Sequence, residues 1–349
     1  MSKIDESYHK LLQHILDNGF KYEDPNRKGI YRYQVPSYTI KHDFTDGFPA
    51  ITTKKLYWKG VVGELLWFLR GDTSIKYLLD NDINIWNKDA YNWYCKRYNT
   101  APKTAEQDGF FTLDEFIKTI KSRDKGHPVL GDLGRVYGAQ WRYFAGYRPK
   151  EYVDVPVDQI SNLIKGLKES PMGTRHIVTA WNPAELGDMA LPPCHWSFEI
   201  LVEPNYKHKR VNEASNKKLH LPEYNFTLKW HQRSVDSFLG APFNIASYAL
   251  LAQIIGKMTN MVPKGIIGDL SNVHIYEPHL DAVKEQLSRN VNKYDKCKLE
   301  IWKRDKSFIL KSNNLSLDQK LGALSIHNFK LQEYKSYPAI KAEMLAYNK

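Results

Sequence analysis

Cysteine is scarce in this chain: Cys95, Cys194 and Cys297 stand far apart among 349 residues. An odd, widely spaced set excludes a disulfide framework and points to a reducing, cytoplasmic setting. No CxxC and no HExxH occurs, so zinc-type ligand spacing is missing and no metal is expected. There is no GxxxxGK[ST] loop, and no GxGxxG joins a strand to a helix. That excludes a P-loop ATPase and a dinucleotide-binding turn. No apolar run approaches the length of a membrane helix, so no membrane partner is expected. The N-terminus opens polar, Met1-Ser2-Lys3-Ile4-Asp5-Glu6, unlike a secretory leader. Internal repeats, low-complexity linkers and an aromatic RNA-binding signature of the RRM type are lacking as well.

What is present suffices for a large core, with 42% hydrophobic residues and 13% aromatics. No composition break marks a boundary, so one domain over 1–349 is the simplest reading. The net charge is +11, which attracts anions. Much of the excess lies in runs such as Lys207-His208-Lys209-Arg210 and Lys217-Lys218. Such runs read as solvated surface, and a nucleic-acid partner is not expected.

Tyr8, Leu11, Leu12, Ile15 and Leu16 recur at helical spacing until Asn18-Gly19, which predicts a first helix. Strand-like stretches follow near 31–33 and 37–40. Residues 58–69 are apolar on nearly every face, the mark of a buried helix, and 245–258 form another. Two polar segments read as inserts. One covers about 95–130, with a capping box at Thr112-Leu113-Asp114-Glu115. The other covers about 204–224 and would connect strands near 198–202 and 226–230.

Chemistry concentrates at Pro192-Pro193-Cys194-His195. Two prolines stiffen the backbone and present the thiol at one point. Glu64 lies among Val61, Val62, Leu65 and Leu66, and a buried carboxylate is costly without partners. With several isolated arginines, and an Asn in a Pro242-Phe243-Asn244 turn, these groups suggest covalent chemistry on an anionic small molecule. A cysteine hydrolase is the alternative. It needs His195 as base, yet adjacent side chains of an extended segment point to opposite faces.

Longer motifs surround these residues. They are Asp46-Gly47-Phe48-Pro49, Glu64-Leu65-Leu66-Trp67-Phe68-Leu69-Arg70-Gly71-Asp72-Thr73 and Gly134-Arg135-Val136-Tyr137-Gly138. Leu191-Pro192-Pro193-Cys194-His195 follows, and then a run from Gln232-Arg233-Ser234-Val235-Asp236 through Ala241-Pro242-Phe243-Asn244 to Tyr248. In this order they resemble the thymidylate synthase and pyrimidine hydroxymethylase family over most of the chain. The resemblance implies an α+β fold, a single domain with a large mixed β-sheet flanked by helices, in a homodimer. It implies methylation of dUMP to dTMP with 5,10-methylenetetrahydrofolate as co-substrate.

By the same resemblance Cys194 would add to carbon 6 of the uracil. Arg233 would favour its thiolate, Glu64 would relay protons through water, and Tyr137 would assist removal of the carbon 5 proton. Arg27, Arg233 and Ser234 would hold the phosphate, with Arg175 donated by the other subunit. Asn244 would read the uracil edge, and His274 and Tyr276 the sugar hydroxyl. Asp236 would bind the pterin, walled by Trp86, Leu239, Gly240 and Phe243. The chain departs from the family pattern at Thr174, Glu199 and Asn272, and its C-terminus runs on past Ile340-Lys341-Ala342-Glu343-Met344. Hydroxymethylation of dUMP with the same folate is the nearest rival reading. An RNA-binding non-enzyme on the same scaffold is the remote one.

Overall fold

The computed structural model describes residues 2–98, 111–122, 130–148, 153–215, 221–301, 307–312 and 314–345. Its centre is a seven-stranded mixed sheet. The strands are β1 (Phe20–Glu23), β2 (Tyr31–Asp43), β3 (Ile177–Thr179), β4 (His195–Pro204), β5 (Tyr224–Gln232), β6 (Val235–Asp236) and β7 (Val262–Tyr276). Their spatial order is β1-β2-β7-β5-β4-β3, with β6 also on β7. β5 and β6 run parallel to β7, and the other pairings are antiparallel.

Helices cover one face. The helices of the chain include α1 (Lys3–Asn18), α2 (Trp58–Leu69), α3 (Asn87–Arg97), α4 (Leu113–Ser122), α5 (Gln159–Glu169), α6 (Tyr206–Ala214) and α7 (Gly240–Thr259). The predicted first helix is α1, and Gly19 follows its last residue. Its Tyr8, Leu11, Leu12 and Ile15 are fully buried, each contributing about 1.5–3 kcal/mol of transfer free energy. α2 is buried from Gly60 to Leu69 and packs on α7, which lies across β5 and β7. The capping box is formed: Thr112 N donates to Glu115 Oε2 at 2.7 Å, and Glu115 N to Thr112 Oγ1 at 3.3 Å. Parts of both segments read as inserts, 99–110, 123–129 and 216–220, lie outside the described residues.

Three sequence expectations change. The stretches near 31–33 and 37–40 form a single strand, β2. Its ladder with β7 passes over Pro36, which has no N–H to give, opposite Asn272 at φ +49°. The second apolar helix begins at Gly240, not 245. Pro242-Phe243-Asn244 is therefore not a turn but part of the first turns of α7, where proline costs little because the N–H groups there have no intrahelical partner. Among the described residues, no helix is long and apolar enough to cross a membrane.

Candidate active site

Cys194 immediately precedes β4, at the sheet end where β5 passes into β6. The backbone ties these ends together, Arg233 N donating to Cys194 O at 2.8 Å. Arg233 then turns back on the proline pair: Nε donates to Pro193 O at 2.9 Å and Nη2 to Pro192 O at 2.7 Å. So the stiff segment read from the sequence is also clamped by the arginine beside it. Asn272, one of the departures, donates from Nδ2 to Arg233 O at 2.8 Å and accepts from Gln34 Nε2 at 3.1 Å. Its left-handed backbone, which asparagine tolerates, aims the side chain there.

Tyr137 stands over the thiol segment, its hydroxyl accepting from Cys194 N at 2.8 Å. Its φ is +27°, a strained position for a large side chain. The adjacent Gly138 is required, since a Cβ there would lie 2.3 Å from Phe68 O. Burial holds the Tyr137 phenol well above its ordinary pKa. Cys194 itself is only partly buried, yet its sulfur is ringed by protein. Burial raises the thiol pKa, while Arg233 and the Tyr137 hydroxyl pull it down. The net direction is upward because burial outweighs Arg233, which itself favours the thiolate.

Glu64 is buried on α2, and Trp86 Nε1 donates to its Oε1 at 2.8 Å. Burial lifts this carboxyl to about 7, against the pull of the Trp86 bond. It is thus poised to exchange protons near neutrality. His195 is in the core, with Nδ1 2.9 Å from Tyr248 Oη and its ring stacked on Tyr137 at 4.3 Å. Burial lowers it to about 3. It stays neutral with Nδ1 engaged by Tyr248 rather than by the thiol, which speaks against the hydrolase reading.

Nearby is a polar wall. Arg27 is buried, its Nη1 donating to Tyr276 Oη at 2.9 Å and pairing with Asp24 Oδ2 at 3.5 Å. Its Nε and Nη2 both donate to Leu345 O, at 3.1 and 2.8 Å. The predicted phosphate arginine therefore also holds the C-terminal segment. His274 on β7 has Nδ1 2.7 Å from Asn272 O, while Nε2 is buried without a hydrogen-bond partner among the described residues. A buried, unsatisfied ring nitrogen fits a ligand hydroxyl. Asn244 Oδ1 accepts from Gln232 Nε2 at 3.0 Å, which sets the orientation of its carboxamide. Asp236 uses Oδ1 to accept from Phe238 N and Leu239 N, at 3.0 and 3.1 Å, and so shapes the start of α7. Ser234, Leu239, Gly240 and Phe243 follow along the same turn and helix start, all partly exposed.

One predicted residue stands apart. Arg175 is exposed on the loop before β3, beside a cavity of about 570 Å³ lined by Asn162, Gly166, Thr174 and His176. None of the groups around Cys194 lines that cavity.

Sequence reasoning missed Asp89, on the first turn of α3, which burial raises to about 6 against the pull of Arg27. Its charge also raises the Cys194 thiol. Lys54 was missed too: it is buried, lies 3.5 Å from the centroid of the Phe238 ring, and is lowered by burial to about 7. The spacing of Asp89, three residues after Trp86 on one helix face, was the available signal. Lys54 offered none.

Fold and site together define a class: an α+β protein that presents one clamped thiol, beside a proton-exchanging carboxyl, to an anionic small molecule. The comparisons with known proteins narrow this. The family model for thymidylate synthase matches residues 6–346. Thymidylate synthase of Malacoplasma penetrans is 37% identical over 97% of this chain and 99% of its own length. That of Mycoplasma genitalium is 40% identical over 81% and 85%, and that of Staphylococcus haemolyticus 34% identical over 98% of each. The chain belongs to the thymidylate synthase family.

Proposed function

We propose that this enzyme methylates dUMP to dTMP, working as one catalytic domain over 1–349 to which the segments near 95–130 and 204–224 are additions. The observation that carries the reading is the convergence on Cys194 of Arg233, Tyr137 and the Glu64–Trp86 pair. The names of the relatives favour the methylated product over the hydroxymethylated one. Cys194 adds to carbon 6 of the uracil, forming the C–S bond as the ring's double-bond electrons move toward the carbonyl oxygen at carbon 4. The thiol proton leaves through water held at Glu64, whose value of about 7 suits it to give and take protons.

Arg27, Arg233 and Ser234 bind the phosphate, since a guanidinium fork matches its oxygens. Asn244, oriented by Gln232, reads the uracil edge. His274 Nε2 and Tyr276 take the sugar hydroxyl. Tyr137, kept neutral by burial, orients the acceptor of the carbon 5 proton instead of accepting the proton itself. The side chains of Trp86 and Phe243 with Asp236 fit a flat, polar-edged ring, and bound 5,10-methylenetetrahydrofolate supplies the one-carbon unit and the hydride. Arg175 reaches the phosphate of a second copy, so the active form is a homodimer. Three free cysteines suit a reducing cytoplasm.

The test combines the protein with dUMP and the reduced folate. Dihydrofolate appearing in step with a nucleotide of dTMP mass supports the reading. A hydroxymethylated nucleotide without dihydrofolate overturns it. Asn244→Asp is expected to move preference toward dCMP, read by competition between the two nucleotides.

A further inference from the structure

The face of the sheet opposite the helices carries side chains of a different kind. Across β4, β5 and β7, Glu199 is paired with Lys229, and His231 with Asp269. These four form a closed ionic square. His231 Nε2 lies 3.3 Å from Glu199 Oε1 and Nδ1 lies 3.4 Å from Asp269 Oδ2. Lys229 Nζ lies 3.8 Å from the same Glu199 oxygen and 3.4 Å from Asp269 Oδ2. The side chains are 22–47% exposed. Trp196 stands beside the imidazole at 5.5 Å, and Lys41 on β2 is paired with Ile267, one step further along the face. Exposed Ile177, Trp196 and Leu201 lie around the square.

Both ring nitrogens of His231 face a carboxylate oxygen. A neutral imidazole has one donor and one acceptor, so one nitrogen would oppose a negative oxygen lone pair to lone pair. Only the imidazolium donates at both. With a neutral ring, two carboxylates meet one ammonium and a negative charge is left over. With the imidazolium the square is balanced. Water screens the imbalance while the face is open, but covering it makes an unpaired charge costly. The copy that brings Arg175 across is the one to cover it, because Arg175 lies two residues before β3 on this sheet edge.

We propose that the pairing of two copies across this face takes up a proton at His231 in each, so that the two-subunit site is held together more tightly in mildly acid solution. This rests on the reading that a second copy supplies Arg175. The sign follows from linkage: the paired state favours the protonated ring. Its extra stability is therefore greatest in acid solution and falls as pH rises.

Subunit exchange between two fluorescently labelled pools of the full chain tests this, and it works for a dimer too tight to dilute apart. Exchange is expected to be at least about tenfold faster at about pH 8 than at about pH 6. His231→Gln should exchange fast at both pH values, and His231→Lys, which fixes the charge, slowly at both. Equal exchange rates for the unaltered protein at the two pH values overturn the proposal and leave the dimer intact. So does a slope that survives in H231Q. A chain that never forms mixed pairs overturns the dimer reading itself.

Discussion

The two faces of the sheet are made from the same strands yet solve opposite problems. On the helix side Phe198, Ile200, Leu228, Trp230, Ile266 and Leu270 are almost wholly buried. Trp230 stacks on Tyr248 at 5.1 Å, and a Cβ on Gly268 would lie 2.4 Å from its ring. On the other side the alternate residues, Glu199, Leu201, Lys229 and His231, stay half open. Strand alternation alone produces this division. The closed face carries stability and places His195 against Tyr248 of α7 and Tyr137 at the active site. The open face keeps its charges where a second copy would decide their worth.

Substitutions can break this division, beginning at the catalytic rim. Cys194→Ser is expected to lower turnover by on the order of 10⁴-fold or more while dUMP binding persists, checked by single-turnover assay and calorimetry. Retained turnover would remove the nucleophile assignment. Next, neighbouring residues of β5 can be contrasted. Trp230→Ala should cost about 3–5 kcal/mol in urea unfolding. Lys229→Ala should cost no more than about 0.5 kcal/mol in an open face. A larger, concentration-dependent cost at Lys229 would reveal the covered state.

A smaller effect sharpens the site. Trp86→Phe removes the hydrogen bond that favours charged Glu64, so its pKa rises further above about 7. The inflection in the pH profile of kcat should move upward, with a loss of about 1–3 kcal/mol in transition-state stabilisation. An unmoved inflection would assign that titration to another group. The smallest effect is at Asp89. Its carboxylate raises the Cys194 thiol, so Asp89→Asn should speed thiol alkylation by a few-fold. The gain should appear only above about pH 6, where Asp89 is charged.

Much of the site was readable before any coordinates. Pro192-Pro193-Cys194 announces a rigidly offered thiol because proline limits the backbone locally. Glu64 shows itself as a carboxylate among apolar neighbours, and burial lifts it to about 7. Asp89, Lys54 and Gln232 were not readable as site residues. Each acts on a partner distant in sequence: Asp89 on Arg27 and Cys194, Lys54 beside Phe238, and Gln232 on Asn244 through a turn and a helix start. The net direction of the Cys194 shift was not readable for the same reason. Arg233 is near in any reading, but the burial that outweighs it comes from the whole fold.

The sequence by itself determined the helix and strand periods, the capping box at Thr112, the position of the thiol and the family. These depend on neighbours within a few residues or on motif order. Only the tertiary structure decided that Asn272 holds the Arg233 backbone and that Arg27 is shared with Leu345. It also decided that four charges close into a square on the open face, and that Arg175 lies apart from the Cys194 groups of its own chain. Electrostatics and hydrogen bonding act through space, and the distances they need are set only when strands far apart in the chain are brought into register.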